Sequence, residues 1–309
     1  ETRQPQGWKV RPAPTLRTGG FLVCALEHVR EQYVKGLGDE VELRKLVMGI
    51  EKKPMPHMLC VTNLILHDVP VPNVRRDNSL TRPLRDYGPD DEVDVVLTNP
   101  PFGGTEEDGV ETNFPRKFQT KETADLFLVL ILKLLRKGGR CAIVLPDGSL
   151  FGEGVKTRIK ERLLKECNLH TIVRLPNGVF APYTGINTNL LFFTKGEPTR
   201  EVWYFEHPMP TDRSQYSKTR PIEIEEFDLE KAWWDDREEN EHAWKVPVEQ
   251  IKSRNYNLDI KNPNTPEETY GDPDLLLKLY KGHLITAGKL RSQLRDELAA
   301  AVERASHAG

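Results

Sequence analysis

Asn99-Pro100-Pro101-Phe102 sets a carboxamide, a prolyl carbonyl and an aromatic ring within four consecutive residues. Proline has no backbone N–H, and it keeps the residue before it out of a helix, so the carbonyls of this turn stay available as acceptors. Two acceptors beside a flat apolar ring suit a planar group with an exocyclic amine, such as N6 of adenine or N4 of cytosine. The preceding run, Val93-Asp94-Val95-Val96-Leu97-Thr98, is short, rich in β-branched residues and bounded by charge, which predicts a buried strand. The motif then falls at the carboxyl end of a strand, where open α/β sheets bind ligands.

Three other features fit the same reading. Thr18-Gly19-Gly20 occupies the place of a first strand-to-helix turn, where glycines let a ligand approach the backbone at a helix N-terminus. Glu51 ends the second expected strand, and a carboxylate there can accept both hydroxyls of a ribose. Asp77 and Asn78 end the third and can receive an adenine amino group. Each feature alone also fits an ordinary turn or a solvated strand end. Their order along the chain is what carries the reading.

The surrounding pattern must build the sheet that holds these residues. Leu22, Ala25, Leu26, Val29 and Tyr33 recur at helical spacing, and Leu46 to Ile50 reads as a strand. Pro56 opens a helix through Leu66, a weak strand lies near Val74, and Ala124 to Leu135 is a strongly apolar helix closed by Gly138-Gly139. Cys141 to Leu145 is the next strand and Val155 to Cys167 an amphipathic helix. Strands at 169–175 and 189–194 follow without a helix between them, and 202–205 is a further candidate. Strands alternating with helices predict an α/β fold with a doubly wound, mostly parallel sheet. The two strands joined without a helix predict an antiparallel pair at one edge. From about 207, scattered prolines, Trp233-Trp234 and the acidic run Asp235 to Glu241 predict an irregular extension. Pro263 and Pro266 mark a linker. From Asp274, the residues Leu276, Tyr280, Leu284, Ala287, Leu290, Leu294, Leu298 and Val302 form one apolar stripe of a long helical tail.

The chain has 309 residues, 38% of them hydrophobic, which is enough for one sizeable α/β domain and an accessory region. Its net charge of −3 excludes a whole-chain electrostatic DNA clamp, so a local groove or a partner would have to supply positive surface. Cys24, Cys60, Cys141 and Cys167 are isolated, without a CxxC pair or a Cys/His cluster. This argues against metal or disulfide roles and fits a reduced, cytoplasmic setting. No stretch approaches a membrane span and no signal peptide is evident. Residue 1 is Glu rather than Met, and a leading segment is expected to be missing.

Taken together, these runs resemble the modification (methyltransferase) subunit of type I restriction–modification systems, an S-adenosylmethionine-dependent N6-adenine DNA methyltransferase. The matching pieces are Thr18 to Leu22, Gly49-Ile50-Glu51, Thr62 to His67, Asn78-Ser79-Leu80, Asn99 to Gly103, Gly138 to Phe151, Pro182 to Leu191 and Asn255 to Asp259, in the family's order. Asn-Pro-Pro-Phe marks amino-methyltransferases broadly. The runs Asn63-Leu64-Ile65-Leu66-His67, Tyr183 to Asn189 and Asn255 to Asp259 narrow the match. The chain departs from the family at the cofactor loop. Where Asp-Pro-Ala-Cys-Gly-Thr-Gly-Gly-Phe-Leu is usual, Arg11-Pro12-Ala13 runs through Pro14-Thr15-Leu16-Arg17 into Thr18. The family's N-terminal helical domain is likewise expected to be absent from this chain. The expectation is a chain joined across a gap here rather than a true loss of the loop.

The resemblance implies a Rossmann-like methyltransferase domain over 18–206, with 1–17 a remnant of the N-terminal region or first strand. It further implies an extension and linker over 207–273 and an assembly helix over 274–309. It assigns Thr18, Gly19, Gly20, Phe21 and Glu51 to S-adenosylmethionine, with Asp77 or Asn78 at the cofactor's adenine and Asn99 beside it. Asn99, Pro100, Pro101 and Phe102 become the catalytic motif. Implied partners are double-stranded DNA, a specificity subunit that packs on the tail, a second modification subunit and a restriction subunit. Two alternatives stay open: a free-standing adenine methyltransferase, and a catalytically silent scaffold that binds DNA or a partner. Asp125 reads as a helix-start charge, His67 and His170 as structural, and Trp233-Trp234 as packing. Thr184 to Asn189 reads equally as the border of a base pocket or as a turn.

Overall fold

The computed structural model describes residues 19–264 and 273–306, and two compact units divide the chain at Asn264/Thr265. Expectations for Thr18, for residues 1–17 and for Pro266 fall outside the described residues. The first unit opens with three helices around a parallel strand pair. Leu22, Val23 and Leu26 form the buried face of α1 (Gly20–Tyr33). Next comes α2 (Leu37–Leu46), which sequence periodicity did not reveal because Leu43 is its one buried residue among those described. Charge holds it instead: Glu40 accepts from Arg30 at 2.8 Å and from Arg44 at 3.1 Å. Strand β1 (Met48–Glu51) leads to α3 (Pro54–Leu66), whose proline stands in the first turn, where no N–H is needed. Then β2 (Asn73–Arg76) pairs parallel to β1 in register from Met48↔Asn73 to Glu51↔Arg76. Leu22, Leu26, Cys60 and Leu64, all fully buried, centre the small core of this half.

The larger core lies around six strands. β3 (Val93–Thr98) is followed by α4 (Thr123–Leu134), β4 (Leu135–Pro146), the short α5 (Asp147–Phe151), α6 (Val155–Glu166) and β5 (Cys167–Arg174). Then come β6 (Thr188–Lys195), β7 (Glu201–Glu206), α7 (Asp228–Asp235), β8 (Ala243–Pro247) and α8 (Val248–Ser253). The strand order is β3-β4-β6-β5-β7-β8. β3 pairs parallel with β4 and β5 with β7, whereas β6 runs antiparallel to both β4 and β5, and β8 antiparallel to β7.

The Rossmann-like class and the mostly parallel sheet stand: β3, β4, β5 and β7 share one direction, and β6 and β8 run against them. The expected antiparallel pair, β5 and β6, forms inside the sheet and not at its edge. The reason lies in β6 itself: Leu191 and Phe193 enter one core while Leu190 and Phe192 pack on the other. A strand apolar on both faces is driven to the interior. The edge is taken by β8, in a segment expected to be irregular. Trp244 and Val246 bury its inner face, and Trp244 stacks on Tyr204 with ring centroids 5.3 Å apart. The flanking acidic run hid this strand in the sequence. Trp233 is buried against Phe205, as expected of packing.

In the second unit α9 (Pro273–Ser306) matches the expected tail, and Leu276, Tyr280, Leu284, Leu290, Leu294 and Leu298 are exposed along it. Among the described residues no helix is long and apolar enough to cross a membrane.

His170 is structural, with Nδ1 2.8 Å from Thr171 Oγ1 and its ring edge-on to Trp234. Burial, then the nearby Arg237 charge, lowers its pKa to about 4. The unfolded chain takes up that proton near the ordinary value of about 6.5, so it binds more protons than the folded one between these values. Stability should therefore fall as pH drops from about 6.5 to about 4. Urea midpoints at the two ends of this window should converge in His170→Asn relative to wild type; an unchanged difference would remove His170 as a cause.

Candidate active site

The ends of β1, β2 and β3 carry the expected site residues. At the first, Gly19 caps α1 with φ +83° and sits so close to Cys60 that an added Cβ would lie 2.8 Å from its Sγ. Only glycine fits both the left-handed backbone and the contact. Gly19→Ala should cost about 1–3 kcal/mol, read as a lower urea midpoint; a midpoint equal to wild type would contradict the close approach. Gly20 and Phe21 are exposed beside it.

Glu51 is 5% exposed, and its Oε1 accepts the Lys53 N–H at 2.8 Å. Its charge contributes to raising the neighbouring Cys60 thiol to about 11, after the larger effect of burial. Gly19, Cys60 and Glu51 thus share one neighbourhood. Asp77 N donates to Glu51 O at 3.2 Å, which ties the ends of the two strands together. The Asp77 side chain is exposed and accepts the Asn78 N–H, while Asn78 Oδ1 caps the turn by accepting from Leu80 N.

After β3, Asn99 is half-buried and its Oδ1 is shielded from solvent. Pro100 is buried, Pro101 exposed and Phe102 half-buried. Gly103 then turns the chain with φ +63°. The Phe102 ring meets Phe180 edge-on at 5.5 Å. This contact brings the loop between β5 and β6 beside the motif, and the exposed Tyr183 and Ile186 belong to that loop. Sequence reading did not single out Phe180. The run it did single out, Thr184 to Asn189, ends in Asn189, which is fully buried and donates to Asp147 Oδ1 at 2.6 Å.

Asp125 departs from a simple helix-start charge. It is 4% exposed, 2.7 Å from Lys156 Nζ and 3.4 Å from Ser149 Oγ. Burial raises its pKa, and the Lys156 contact only partly offsets this. Lys156 also reaches Glu122 at 2.5 Å, pinning the start of α4 to α6.

The described residues fit a nucleoside with a ribose and an amino-bearing base. Glu51 places a buried carboxylate at a strand end, where the Lys53 N–H donated to Oε1 orients it, and a carboxylate offers only acceptors, as ribose hydroxyls require. All four cysteines are free, and burial pushes Cys60 to about 11 and Cys167 to about 12, poor values for a thiolate nucleophile. Among the described residues, no group of three or more His, Cys, Asp or Glu side chains could hold a metal.

A Rossmann-like sheet with a glycine-capped first helix, an acid closing the next strand and Asn-Pro-Pro-Phe after β3 has the architecture of S-adenosylmethionine-dependent methyltransferases. A family profile described as N-6 DNA methylase matches residues 7–272, and the chain belongs to that family. It is 58% identical over 297 residues to the Escherichia coli EcoEI type I restriction enzyme methylase subunit, spanning 94% of this chain and 60% of that one. Among solved structures, a modification subunit of a putative type I restriction enzyme from Vibrio vulnificus superposes with a TM-score of 0.78 at 46% identity, covering 86% of this chain and 57% of that one. The EcoKI M protein superposes with a TM-score of 0.70 at 26% identity, covering 95% and 69%. The chain thus spans about 60% of the length of the EcoEI subunit. The expected resemblance to type I modification subunits is borne out.

Proposed function

We propose that this chain transfers a methyl group from S-adenosylmethionine to N6 of adenine in DNA, as the modification subunit of a type I restriction–modification assembly. The observation that carries the reading is Asn99-Pro100-Pro101-Phe102 at the carboxyl end of β3, in a chain whose relatives are type I methylase subunits. The amino lone pair of adenine is delocalised into the ring and attacks poorly. Asn99 Oδ1 and the Pro100 carbonyl each accept one amino hydrogen, which draws the nitrogen toward tetrahedral geometry and frees the lone pair. Because solvent does not reach Asn99 Oδ1, that acceptor acts in low-dielectric surroundings, where a preorganised dipole has its largest effect.

S-adenosylmethionine supplies an electrophilic sulfonium methyl. Glu51 accepts its ribose hydroxyls, Gly19, Gly20 and Phe21 flank it at the N-terminus of α1, and Asp77 or Asn78 meets its adenine. The target base lies inside a duplex and must be flipped out, with Phe102 stacking on it. Positioning and fixed dipoles supply the acceleration, and no enzyme nucleophile is needed. The site lies in a cytoplasmic enzyme whose net charge of −3 leaves DNA site reading to a specificity subunit packed on α9, with a second modification subunit and the restriction subunit completing the assembly.

The test is calorimetric titration with S-adenosylmethionine, followed by methylation sequencing of DNA from cells expressing the chain with and without its neighbouring genes. Binding plus N6-methyladenine that depends on the neighbours supports the reading. Site-specific methylation by the single chain would indicate a free-standing enzyme, and no binding would indicate a silent scaffold.

A further inference from the structure

Behind the Asn99 motif, the long loop to α4 carries Glu106, whose side chain is 9% exposed. Its carboxylate gathers donors from three separate elements. Oε2 accepts from Lys52 Nζ at 3.3 Å and from Asn78 Nδ2 at 3.1 Å, while Oε1 accepts from Thr123 Oγ1 at 3.2 Å. Lys52 directly follows Glu51 at the end of β1, Asn78 follows β2, and Thr123 opens α4. The backbone fixes the same point. Glu106 N donates to Lys121 O at 3.0 Å, Gly104 O accepts the N–H of Thr123, and the single Thr123 hydroxyl proton is shared between Gly104 O at 2.9 Å and Glu106 Oε1.

We propose that Glu106 is a positioning residue, which sets the two strand ends assigned to the cofactor against the loop that carries Asn99. The inference rests on the site reading proposed above and deepens it: cofactor affinity and capture of the target amine are coupled through this one carboxylate. A loop carboxylate has no core to serve, and sinking its charge is unfavourable unless donors replace the lost water. Here the donors come from the segments that must hold still. The neighbouring Glu107 offers a built-in control. It reaches Lys52 at 3.1 Å but its side chain is 76% exposed, so solvent can replace it.

Glu106→Gln puts an NH2 where a carboxylate oxygen now accepts, so at least one donor among Lys52, Asn78 and Thr123 is turned away. The experiment uses the full chain and compares wild type, Glu106→Gln, Lys52→Met, the double variant and Glu107→Gln. It measures S-adenosylmethionine affinity by calorimetry, kcat and KM for methyl transfer to DNA, and Tm. Glu106→Gln is expected to weaken cofactor binding about tenfold, in keeping with loss of a hydrogen bond to a charged group, and to lower kcat as well. The double variant should be little worse than Glu106→Gln alone, because both changes break one network. Glu107→Gln should stay within about twofold of wild type by the same reasoning.

Affinity and kcat unchanged in Glu106→Gln, or losses that simply multiply in the double variant, would overturn the inference. If Glu106→Gln does not fold, Lys52→Met and Thr123→Val each remove one donor and must each weaken the cofactor; normal affinity in both also overturns it. A wild-type chain that binds no S-adenosylmethionine defeats the functional reading itself and this inference with it. A wild type that binds and transfers methyl, with Glu106→Gln indistinguishable from it, defeats the inference alone.

Discussion

Asn99→Ala is expected to reduce kcat for methyl transfer by roughly a hundredfold to a thousandfold, the scale seen when one preorganised polar group facing developing charge is removed. Cofactor affinity should change little. The reasoning is local: Asn99 lies beyond the last residue of β3, its Oδ1 is shielded from solvent, and Pro100 behind it is buried. Alanine removes the acceptor without disturbing Val93 or Val96, which anchor the strand in the core. Single-turnover transfer of a labelled methyl group, together with calorimetric titration of S-adenosylmethionine, separates the two effects. Near-normal turnover would refute the role of Asn99. Equal loss of binding and turnover would place it in cofactor capture instead.

Phe102→Ala should raise KM for DNA by about 5- to 150-fold, corresponding to the roughly 1–3 kcal/mol that one base–aromatic stack contributes. Phe102 is half-buried, so its ring keeps a face for a base while its edge contact with Phe180 fixes the ring's orientation. Phe102→Tyr retains the ring and should stay close to wild type. Cofactor affinity is again expected to hold, since Phe102 belongs to the loop after β3 and not to the ends of β1 and β2. Matching losses of DNA and cofactor affinity would argue against stacking and for collapse of the loop.

Much of this was legible in the sequence because local patterns carried it. The β-branched run at 93–98 gave β3 its exact bounds, and the apolar period at 22–33 gave α1. Glu51 fell at the end of a short apolar strand, as its place in the series required. What escaped was set by contacts distant in sequence or by charge. Helix α2 presents one buried leucine and holds through Arg30 and Arg44, which periodicity does not register. Strand β8 hides behind an acidic run until Tyr204 gives Trp244 a partner. The position of β6 depends on both its faces being apolar, a pattern present in the sequence that does not by itself distinguish an edge pair from an interior one. Glu106 could not be picked from a loop containing Glu107, Asp108 and Glu111, because its donors lie 17 to 54 residues away. The departure at residues 11–17 lies outside the described residues, so the cofactor loop ahead of Gly19 stands as a sequence observation.

The account turns on whether Asn99 and Pro100 hold the amine that accepts the methyl group. The most direct measurement is a crystal structure of the chain with S-adenosylhomocysteine and DNA bearing its target adenine. The prediction is an extrahelical adenine with N6 at about 2.7–3.2 Å from both Asn99 Oδ1 and the Pro100 carbonyl oxygen, its ring against Phe102. A flipped base whose amine is bound by other residues, with Asn99 turned away from it, would contradict the account.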